Sequence, residues 1–417
     1  MASRLLTADI AIVGAGAAGL ATAIFTRRAD RPPSVVLLEG AKRPGAKILV
    51  SGGGRCNVAN ARVEAADFSG GRRVPIGRIL GGFPPERTVA FFRELGVPLH
   101  AEEEGKLFPD SNRSRDVLDA LLGEIDAVGA RLLTGQRVLD VVPCGDRFRV
   151  QTPTMAVDAR RVVLATGGRS LPKSGSDGAG LEIARRLGHT IVPTTPALTP
   201  LLLADADPLH RELSGVSQPV ALSIWIDGVR ARRLYGPLLW THFGVSGPVA
   251  LDASRHYLRA ELERRPVRLT LNFCGGAAFD EIDRLWIDRA RARPTASIAA
   301  TLASIVPASV AEALLRRLSI EGCTTLAHAG RDARRRLAHA LDAWPLPVAG
   351  ARGYNFAEAT AGGVDLAEID PSSMESRIRP GLFLVGEMLD ADGRLGGFNF
   401  QWAWATARMA AAALAAR

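Results

Sequence analysis

The fold is decided by the stretch DIAIVGAGAAG at residues 9–19. Its apolar first half is typical of a parallel β-strand that is buried on both faces. Three glycines follow in the spacing G-x-G-x-x-G, and residues 20–29 then suit a helix. A second apolar run at 34–39 predicts the next strand. Strand, glycine turn, helix and strand in this order predict a right-handed βαβ unit.

The glycine spacing suits the binding of a dinucleotide. Gly14 permits a tight turn, Gly16 lets the backbone approach a pyrophosphate, and Gly19 lets the helix pack closely on the strand. The N-terminus of the helix attracts the negative charge of the phosphates. Glu39 ends the second strand about 20 residues after the last glycine, where a carboxylate can accept hydrogen bonds from a ribose. A glycine turn without a ligand is the alternative, but motif, context and acid together favour the dinucleotide.

Composition and charge bound the possible classes of protein. The chain has 417 residues, enough for two or three domains of about 150 residues each. Hydrophobic residues make up 47% and charged residues 23%, a globular balance that excludes long disorder. The net charge of +9 is spread along the chain, which leaves both a solvated basic surface and a polyanion partner open.

Cysteine usage and hydropathy predict a cytoplasmic protein that does not enter a membrane. The four cysteines are far apart and form no C-x-x-C pair, which favours a reducing compartment over a disulfide framework. Asp9 interrupts the first apolar run, so we expect no signal peptide. The longest uncharged stretches contain prolines, and none of them predicts a membrane span.

Later segments return to the α/β pattern. Apolar runs at 161–165 and 382–385 predict further strands of the same sheet, ending at Thr166-Gly167 and at Gly386-Glu387. Between them, three prolines at 193–200 precede short strands and then helical patterns at about 278–341. We therefore expect an α/β fold whose dinucleotide-binding domain occupies 1–190 and 345–417. An inserted domain at 191–344, with a small sheet and a helical part, interrupts it.

This split fold favours tightly held FAD over a nicotinamide cofactor. The carboxylate of Glu387 could bond a ribityl chain. A helix that begins near Asn399 could direct its N-terminus at the pyrimidine edge of a flavin and stabilise the anion formed on reduction. No second G-x-G-x-x-G unit follows in the sequence, so NAD(P)H is expected only as a transient reductant.

The segment SGGGRCN at 51–57 predicts a second backbone-built binding loop. Consecutive glycines expose N–H groups that can form an anion-binding nest. Arg55 adds a fixed charge and Lys47 a mobile one. Asn57 can both donate and accept hydrogen bonds, which suits the pyrimidine edge of a flavin.

Two side chains are candidates for proton or thiol chemistry. Cys56 could be a redox-active or adduct-forming thiol, or a small packed residue that lets the loop approach the ring. His242 could be a proton donor, or it could hydrogen-bond its own loop. The turn at 390–393 lacks the remaining ligands of a calcium loop, and the scattered histidines predict no metal site.

Several separate segments resemble the BaiN-like (YhiN-like) FAD-dependent flavoproteins, over nearly the whole chain. These segments are GAGAAGL at 14–20, KILVSGGGRCN at 47–57, ATGG at 165–168, GSDG at 175–178, THFGVSGP at 241–248, GGV at 362–364, MES at 374–376, and the stretches at 386–390 and 396–403. The resemblance implies a Rossmann-like FAD domain interrupted by a small β-barrel-like and helical insert, in a bacterial oxidoreductase. Activities in this family include reduction of carbon–carbon double bonds in steroid-like enones and reduction of uridine in ribosomal RNA.

Residue patterns and resemblance together predict one cofactor site that is built from both ends of the chain. Cys56 and His242 are its candidate catalytic residues. The predicted cofactor-binding residues are Gly14, Gly16, Ala17, Ala18, Gly19, Glu39, Gly40, Lys47, Ser51, Gly52, Gly53, Arg55, Cys56, Asn57, Val138, Thr166, Gly167, Gly386, Glu387, Gly397, Asn399 and Gln401.

Three functions follow from these predictions. The first is an FAD-dependent oxidoreductase, driven by NAD(P)H, that reduces an electron-poor carbon–carbon double bond in a small-molecule substrate. The second keeps FAD but makes RNA the partner, with uridine as the reduced base, which would need an unpaired or flipped nucleotide. The third is a flavin-bound interaction module without turnover, because the sequence shows no recognisable acid–base pair.

Overall fold

A computed structural model describes residues 4–205 and 208–416. The chain divides into two compact units, and the second unit is Ala197–Phe356. Both boundaries of this unit therefore lie later in the chain than the predicted 190/191 and 344/345. The first moves because strand Ile191–Ala197 pairs with Ala359–Val364. The second moves because strands Trp344–Leu346 and Val348–Ala351 complete the sheet of the second unit.

The first unit is built on a mixed sheet, for which seven strands are found among the described residues. Its parallel part has the order Arg131–Leu133, Val35–Leu38, Arg4–Val13 and Met155–Leu164. The last of these is a long strand with a different neighbour along each half. Its first half pairs with the antiparallel hairpin of Arg147–Gln151 and Asp140–Cys144, and its second half pairs in parallel with Leu382–Leu384.

The register of the sheet brings four strand ends to one edge. Val13 pairs with both Leu38 and Leu164, and Leu164 pairs with Leu384. Since parallel strands carry their carboxyl ends at the same edge, the loops that follow these four residues meet there. In open α/β sheets this edge is where ligands bind. The predicted βαβ unit and the two later strands are thus present, in the expected sheet.

Apolar helices cover this sheet. Helix Ala17–Arg27 packs against the C-terminal helix Phe398–Ala415, and both are rich in alanine and in buried positions. Trp402 and Trp404 are fully buried on the C-terminal helix. The other helices of the unit are Ala46–Val50, Arg73–Gly82, Pro85–Glu94, Ser114–Ala127 and Ala179–Arg186. Its small strands are Ala59–Asn60, Phe68–Gly70, Leu99–Ala101, Lys106–Pro109, Ile191–Ala197, Ala359–Val364 and Ala391–Gly393.

The second unit contains an antiparallel sheet, with seven strands in its described part. Their order is Trp344–Leu346, Val267–Asn272, Ser217–Ile226, Val229–Thr241, Gly244–Ser246, Leu201–Leu203 and Val348–Ala351. The two edge strands are separated in sequence by Pro347 alone, so the sheet curls until its edges meet. This is the expected small β-barrel-like insert.

Helices accompany this sheet as the sequence predicts. Helix Pro248–Leu262 packs on its central strands, and helix Arg331–Ala343 packs on Val267–Asn272 and on Phe279–Ala292. The remaining helices of the unit are Leu209–Glu212, Ile298–Leu302 and Ala308–Arg317. Across both described segments of the chain, no helix is long and apolar enough to cross a membrane.

Candidate functional site

The three glycines of the first turn meet different surroundings. A Cβ at Gly14, whose φ is +101°, would lie 2.6 Å from the carbonyl oxygen of Ala165. A Cβ at Gly19 would lie 2.0 Å from the carbonyl oxygen of Gly14. Gly16 has an ordinary φ of −83°, and a Cβ there would meet no atom within 4 Å. The fold itself therefore needs Gly14 and Gly19, whereas Gly16 leaves a space that the protein does not fill.

Helix Ala17–Arg27 begins directly beside that space. Gly16 has no side chain to cap the helix, and the first turn holds no acidic residue. Ala17 and Ala18 contribute only methyl groups there. The helix N-terminus therefore offers N–H groups and a positive dipole end, the arrangement that binds a phosphate.

Glu39 lies next to this turn with its carboxylate fixed. Its Oε2 accepts a hydrogen bond from the N–H of Ala15 at 2.9 Å, and its Oε1 accepts one from the N–H of Ala41 at 2.8 Å. Gly40 follows, and a Cβ there would lie 3.1 Å from Cδ of Arg137. Val138, the next residue after this arginine, is buried at the same edge. The predicted residues of the second strand end are thus brought together with the glycine turn.

Lys47 and Glu387 form an ion pair at this edge, although they come from opposite ends of the chain. Lys47 Nζ also donates to Ser170 Oγ at 2.6 Å, and Ser170 Oγ donates to Glu387 Oε1 at 2.6 Å. Ser170 is fully buried, and its N–H donates to Thr360 Oγ1 at 3.0 Å. The predicted list omitted Ser170. Its position shortly after the strand-ending Thr166-Gly167 was the available signal.

The loop after the long strand contributes a second residue that the sequence did not single out. Gly167 has a φ of +71°, and a Cβ there would lie 2.7 Å from Ser176 Oγ and 3.7 Å from Glu387 Oε2. Ser176 is buried, and its Oγ has no hydrogen-bond partner among the residues that the structure describes. Thr166 lies beside Gly167, packed over Gly180. A buried hydroxyl without a partner indicates a site for a polar group from outside the protein.

Two glycines of the loop at 51–57 have left-handed backbone geometry. Gly52 and Gly53 have φ values of +55° and +67°, and a Cβ at Gly53 would meet no atom within 4 Å. The Ser51 hydroxyl donates to the carbonyl oxygen of Ile48 at 2.8 Å. Arg55 donates to Glu102 at 2.7 Å, and its guanidinium lies 4.0 Å from the centre of the Phe108 ring. Its guanidinium is therefore held in place by these two side chains.

Asn57 links this early loop to the last helix. Its side-chain NH₂ donates to the carbonyl oxygen of Ala59 at 2.8 Å, and its oxygen accepts from the N–H of Gly397 at 3.2 Å. A Cβ at Gly397 would lie 2.2 Å from the carbonyl oxygen of Ala59. Trp404 Nε1 donates to the carbonyl oxygen of Val58 at 2.9 Å. The early and late stretches of the chain thus pack directly on each other, as the sequence prediction required.

Gly386 connects the late strand end to the first helix. Its φ is +75°, and a Cβ there would lie 2.8 Å from the Cβ of Ala18. Its N–H donates to Thr406 Oγ1 at 3.0 Å, and its carbonyl oxygen accepts from Trp402 Nε1 at 3.1 Å. The N-terminus of the C-terminal helix follows Gly397 without a side-chain cap or an acidic residue.

The side-chain amides of Asn399 and Gln401 are hydrogen-bonded within the protein. Asn399 accepts from the N–H of Gly393 at 2.8 Å and donates to its carbonyl oxygen at 3.0 Å. Gln401 is fully buried, donates to the carbonyl oxygen of Phe83 at 2.6 Å and accepts from Thr88 Oγ1 at 2.7 Å. Because these amides are committed to the protein itself, we propose structural roles for both in place of cofactor contacts.

The two candidate catalytic residues also have defined surroundings. Cys56 is fully buried with a φ of +64°, and burial raises the pKa of its thiol to about 12. A thiol in this state is not a nucleophile, so its surroundings favour the packed residue of the two interpretations. His242 lies in the second unit, exposed, with its ring 5.1 Å from that of Phe243. Its role as a proton donor stays a prediction.

Comparison with known proteins decides the family. The family model described as HI0933-like protein Rossmann domain matches residues 8–413. This chain belongs to that family. The ribosomal RNA dihydrouridine synthase of Escherichia coli is 32% identical over 399 residues, which is 96% of each chain. The 3-dehydro-bile acid delta(4,6)-reductase of Clostridium scindens is 30% identical over 408 residues, 98% of this chain and 99% of that protein.

A solved structure supports the fold assignment. The E. coli quinol fumarate reductase subunit FrdA superposes with a TM-score of 0.52 and 16% identity, covering 99% of this chain and 70% of that one. At this level of identity the similarity concerns the fold alone. The expected α/β class with a Rossmann-type FAD-binding domain is confirmed by the family match and by this fold.

As a member of the HI0933-like family, the chain is an FAD-dependent oxidoreductase. The expectation of an enzyme is thereby confirmed over that of an interaction module. The carboxyl edge of the main sheet also has structural features that suit a bound FAD. Gly16 leaves space in front of an uncapped helix N-terminus, and Ser176 presents a buried hydroxyl without a partner in the described residues.

Proposed function

We propose that this enzyme uses FAD, reduced by NAD(P)H, to reduce a carbon–carbon double bond conjugated to a carbonyl group in a small molecule. The observation that carries the proposal is the pair of relatives that span nearly the whole chain. One is named for reducing a 3-dehydro-bile acid at positions 4 and 6, and the other for making dihydrouridine. In both cases the double bond concerned is conjugated to a ring carbonyl. The same reaction, reduction of a conjugated double bond, therefore accounts for both names.

The diphosphate half of FAD would be held by the glycine turn. Backbone N–H groups at the start of helix Ala17–Arg27 would bind the pyrophosphate through the space that Gly16 leaves. Glu39 would bind the ribose, because each carboxylate oxygen can accept a second hydrogen bond beside the one it already has. Gly40 and Val138 line the same edge.

The flavin half would be held by the loops from both ends of the chain. The glycine loop at 51–57, Thr166-Gly167 and the helix N-terminus at Gly397 supply backbone N–H groups and dipole ends. Lys47 adds a cation beside these loops, where the carboxylate of Glu387 and the hydroxyl of Ser170 fix it. When bound, FAD supplies hydride chemistry, and the protein supplies orientation and charge.

A second candidate substrate is uridine in ribosomal RNA. The specific observation in its favour is the E. coli relative, which is as similar to this chain as the bile acid reductase is. The net charge of +9 is compatible with a polyanion partner. The two candidate substrates would undergo the same reaction. They differ in the molecule that contains the conjugated carbonyl, which is a small molecule in one case and RNA in the other.

An anaerobic titration tests the proposal. Purified holoenzyme is reduced with NADH or with NADPH, and the flavin absorption is followed until it disappears. A 4-en-3-one steroid, a quinone or ribosomal RNA is then added. We expect the colour to return with an enone or with RNA, together with one saturated product per flavin. Reoxidation by quinone alone would contradict the proposal. Dihydrouridine content of ribosomal RNA from a deletion strain separates the two candidate substrates.

A further inference from the structure

The antiparallel sheet of the second unit has an apolar face and a basic face. In strand Ser217–Ile226, Leu222 and Ile224 are buried in the core of the unit, and the residues that alternate with them point to the other side. Residues paired across antiparallel strands share a side of the sheet. The register therefore places three rows on this second side: Arg230, Trp225 and Arg268; Arg233, Ser223 and Thr270; and Tyr235, Ala221 and Asn272. We call these nine residues the arginine face.

Trp225 carries two arginines at one end of the arginine face. Its Nε1 donates to Thr270 Oγ1 at 3.0 Å, which fixes the indole ring. The guanidinium carbon of Arg268 lies 4.4 Å from the centre of this ring, and that of Arg230 lies 6.0 Å from it. The two charged groups are thus held beside the same aromatic ring, and both arginines are exposed.

Tyr235 lies at the other end of the arginine face and is supported from below. A Cβ at Gly276 would lie 3.0 Å from the hydroxyl oxygen of Tyr235, and the carbonyl oxygen of Gly276 accepts from Arg233 Nη1 at 2.9 Å. Arg233 Nε also donates to Ser223 Oγ at 3.4 Å. Arg233 is therefore committed to the protein, whereas Tyr235 is 63% exposed. A supported ring loses little conformational entropy when a planar group stacks on it.

The charges of Arg230 and Arg268 are not compensated by the protein. Within residues 4–205 and 208–416, neither guanidinium makes a hydrogen bond or an ion pair. Asp227, in the hairpin turn beside them, is already paired with Arg265 at 2.7 Å. None of the nine residues of the arginine face carries a carboxylate. The face therefore complements an anion, and a guanidinium suits a phosphate in particular.

We propose that the arginine face binds single-stranded RNA, with phosphates at Arg230 and Arg268 and an unpaired base stacked on Tyr235. A strand rises about 3.3 Å per residue, so the first and third rows lie about 13 Å apart along the sheet. This span is longer than one nucleotide. The face therefore suits a short stretch of a polymer rather than a small anion.

The combination of charge and aromatic ring favours unpaired RNA over other polyanions. In a duplex the bases are stacked on one another, whereas unpaired bases can stack on an aromatic ring or on a guanidinium plane. An acidic protein would pair with the arginines but has no bases to stack on Tyr235. RNA is chosen over single-stranded DNA because one of the two candidate substrates above is carried by RNA, and in this respect the inference rests on the proposed function.

Fluorescence anisotropy of a labelled oligoadenylate tests the inference. Adenine has no ring carbonyl, so this probe is not a substrate of the proposed reduction. We expect the wild-type holoenzyme to bind it with a Kd of about 1–100 µM at physiological salt.

The variants separate the phosphate contacts from base stacking. The double variant Arg230→Gln/Arg268→Gln should bind the probe about 10-fold or more weakly, because two charge-assisted contacts are lost. Its slope of log K against log salt concentration should be shallower by about 1.4, at about 0.7 per phosphate of a single strand. Tyr235→Ala should weaken binding by about 5- to 100-fold, whereas Tyr235→Phe, which keeps the ring, should bind like the wild type.

A matched control removes two charges elsewhere in the unit. Arg291 and Arg293 are exposed and lie outside the sheet, and Arg291→Gln/Arg293→Gln should leave oligoadenylate binding unchanged. Equal flavin content and equal thermal unfolding temperatures establish that all variants are folded.

Three results would overturn the inference. The first is a wild type that does not bind oligoadenylate, or that binds polyglutamate, duplex RNA or oligodeoxyadenylate more tightly. The second is an Arg230→Gln/Arg268→Gln variant that binds the probe as tightly as the control variant does. The third is equal binding by Tyr235→Ala and Tyr235→Phe. Failure of the proposed function is separate: the holoenzyme would reduce neither an enone nor uridine, yet it would still bind oligoadenylate through the arginine face.

Discussion

Lys47 and Glu387 are 340 residues apart in the sequence, and their side chains form an ion pair at the carboxyl edge of the main sheet. Both are largely withdrawn from solvent, with 27% and 18% of their side chains exposed. Ser170 is bonded to both. Three loops that are remote in sequence are thus tied together by one polar cluster. The cluster therefore fixes the loops from the two ends of the first unit relative to each other at the site.

Removal of both members of the ion pair should destabilise the protein by less than the two single removals added together. Lys47→Met or Glu387→Gln leaves a partly buried group without its partner, at a cost of about 1–3 kcal/mol in the free energy of unfolding. The double variant should cost less than the sum of the two by about 1 kcal/mol, because neighbouring residues couple. Urea unfolding of the flavin-free protein measures the cycle. Strict additivity of the two single variants would show that the pair contributes nothing.

Gln401→Leu separates a structural role from a cofactor contact. The substitution leaves the carbonyl oxygen of Phe83 and the hydroxyl of Thr88 without their buried partner. We expect a loss of about 2–4 kcal/mol in the free energy of unfolding, with an unchanged number of flavins per folded chain. Unfolding curves and flavin release measure the two quantities. Normal stability with lost flavin would restore the cofactor contact that the sequence predicted.

The cysteines should differ sharply in reactivity. Burial raises the pKa of Cys56 to about 12, so its thiol stays protonated at every pH below that value. Cys144 and Cys323 are exposed. At pH 8 we expect iodoacetamide to alkylate these two within minutes and to reach Cys56 only after unfolding, as mass spectrometry of the digested protein would show. Rapid alkylation of Cys56 in the folded protein would reinstate its interpretation as a reactive thiol.

Stability in acid should depend on Glu368. Burial alone raises the pKa of this carboxyl, but hydrogen bonds from Thr190 and His189 outweigh it and hold the pKa below its ordinary value of 4.5. A carboxyl whose pKa is lowered by folding stabilises the protein above pH 4.5, and this stabilisation is lost as the pH falls through the folded pKa.

The variant Glu368→Gln tests this dependence. We expect it to be less stable than the wild type by about 1 kcal/mol at pH 7, with the difference shrinking below pH 4. Thermal unfolding between pH 3 and pH 7 measures it. A difference at pH 3 as large as that at pH 7 would exclude the titration of Glu368 as its cause.

The sequence was sufficient for what depends on local pattern. The βαβ unit follows from apolar runs and glycine spacing, and the close contacts at Gly14 and Gly19 agree with the tight turn and the close helix packing assigned to them. The strand ends at Thr166-Gly167 and Gly386-Glu387 lie at one edge because parallel strands must share their direction. These features need no knowledge of the remaining tertiary contacts.

What the sequence missed depends on contacts between distant segments. The role of Ser170 depends on the tertiary fold, which places its hydroxyl between Lys47 and Glu387. Gln401 lies in a distinctive motif, yet whether its amide faces a ligand or the backbone of Phe83 is decided by how the last helix packs. The domain boundaries shifted for the same reason, since the pairing of Ile191–Ala197 with Ala359–Val364 is not a local property.

The flavin content of Gly16→Val tests the central claim, that FAD binds at the carboxyl edge beside the glycine turn. A Cβ at position 16 would meet no protein atom within 4 Å, so we expect the free energy of unfolding to change by no more than about 1 kcal/mol, the usual effect of replacing an N-cap glycine. Gly19→Val, which places a Cβ 2.0 Å from the carbonyl oxygen of Gly14, should instead fail to fold stably. We predict one FAD per wild-type chain and almost none in Gly16→Val. Equal FAD in a folded Gly16→Val and the wild type, or a wild type that binds no added FAD, would contradict the account.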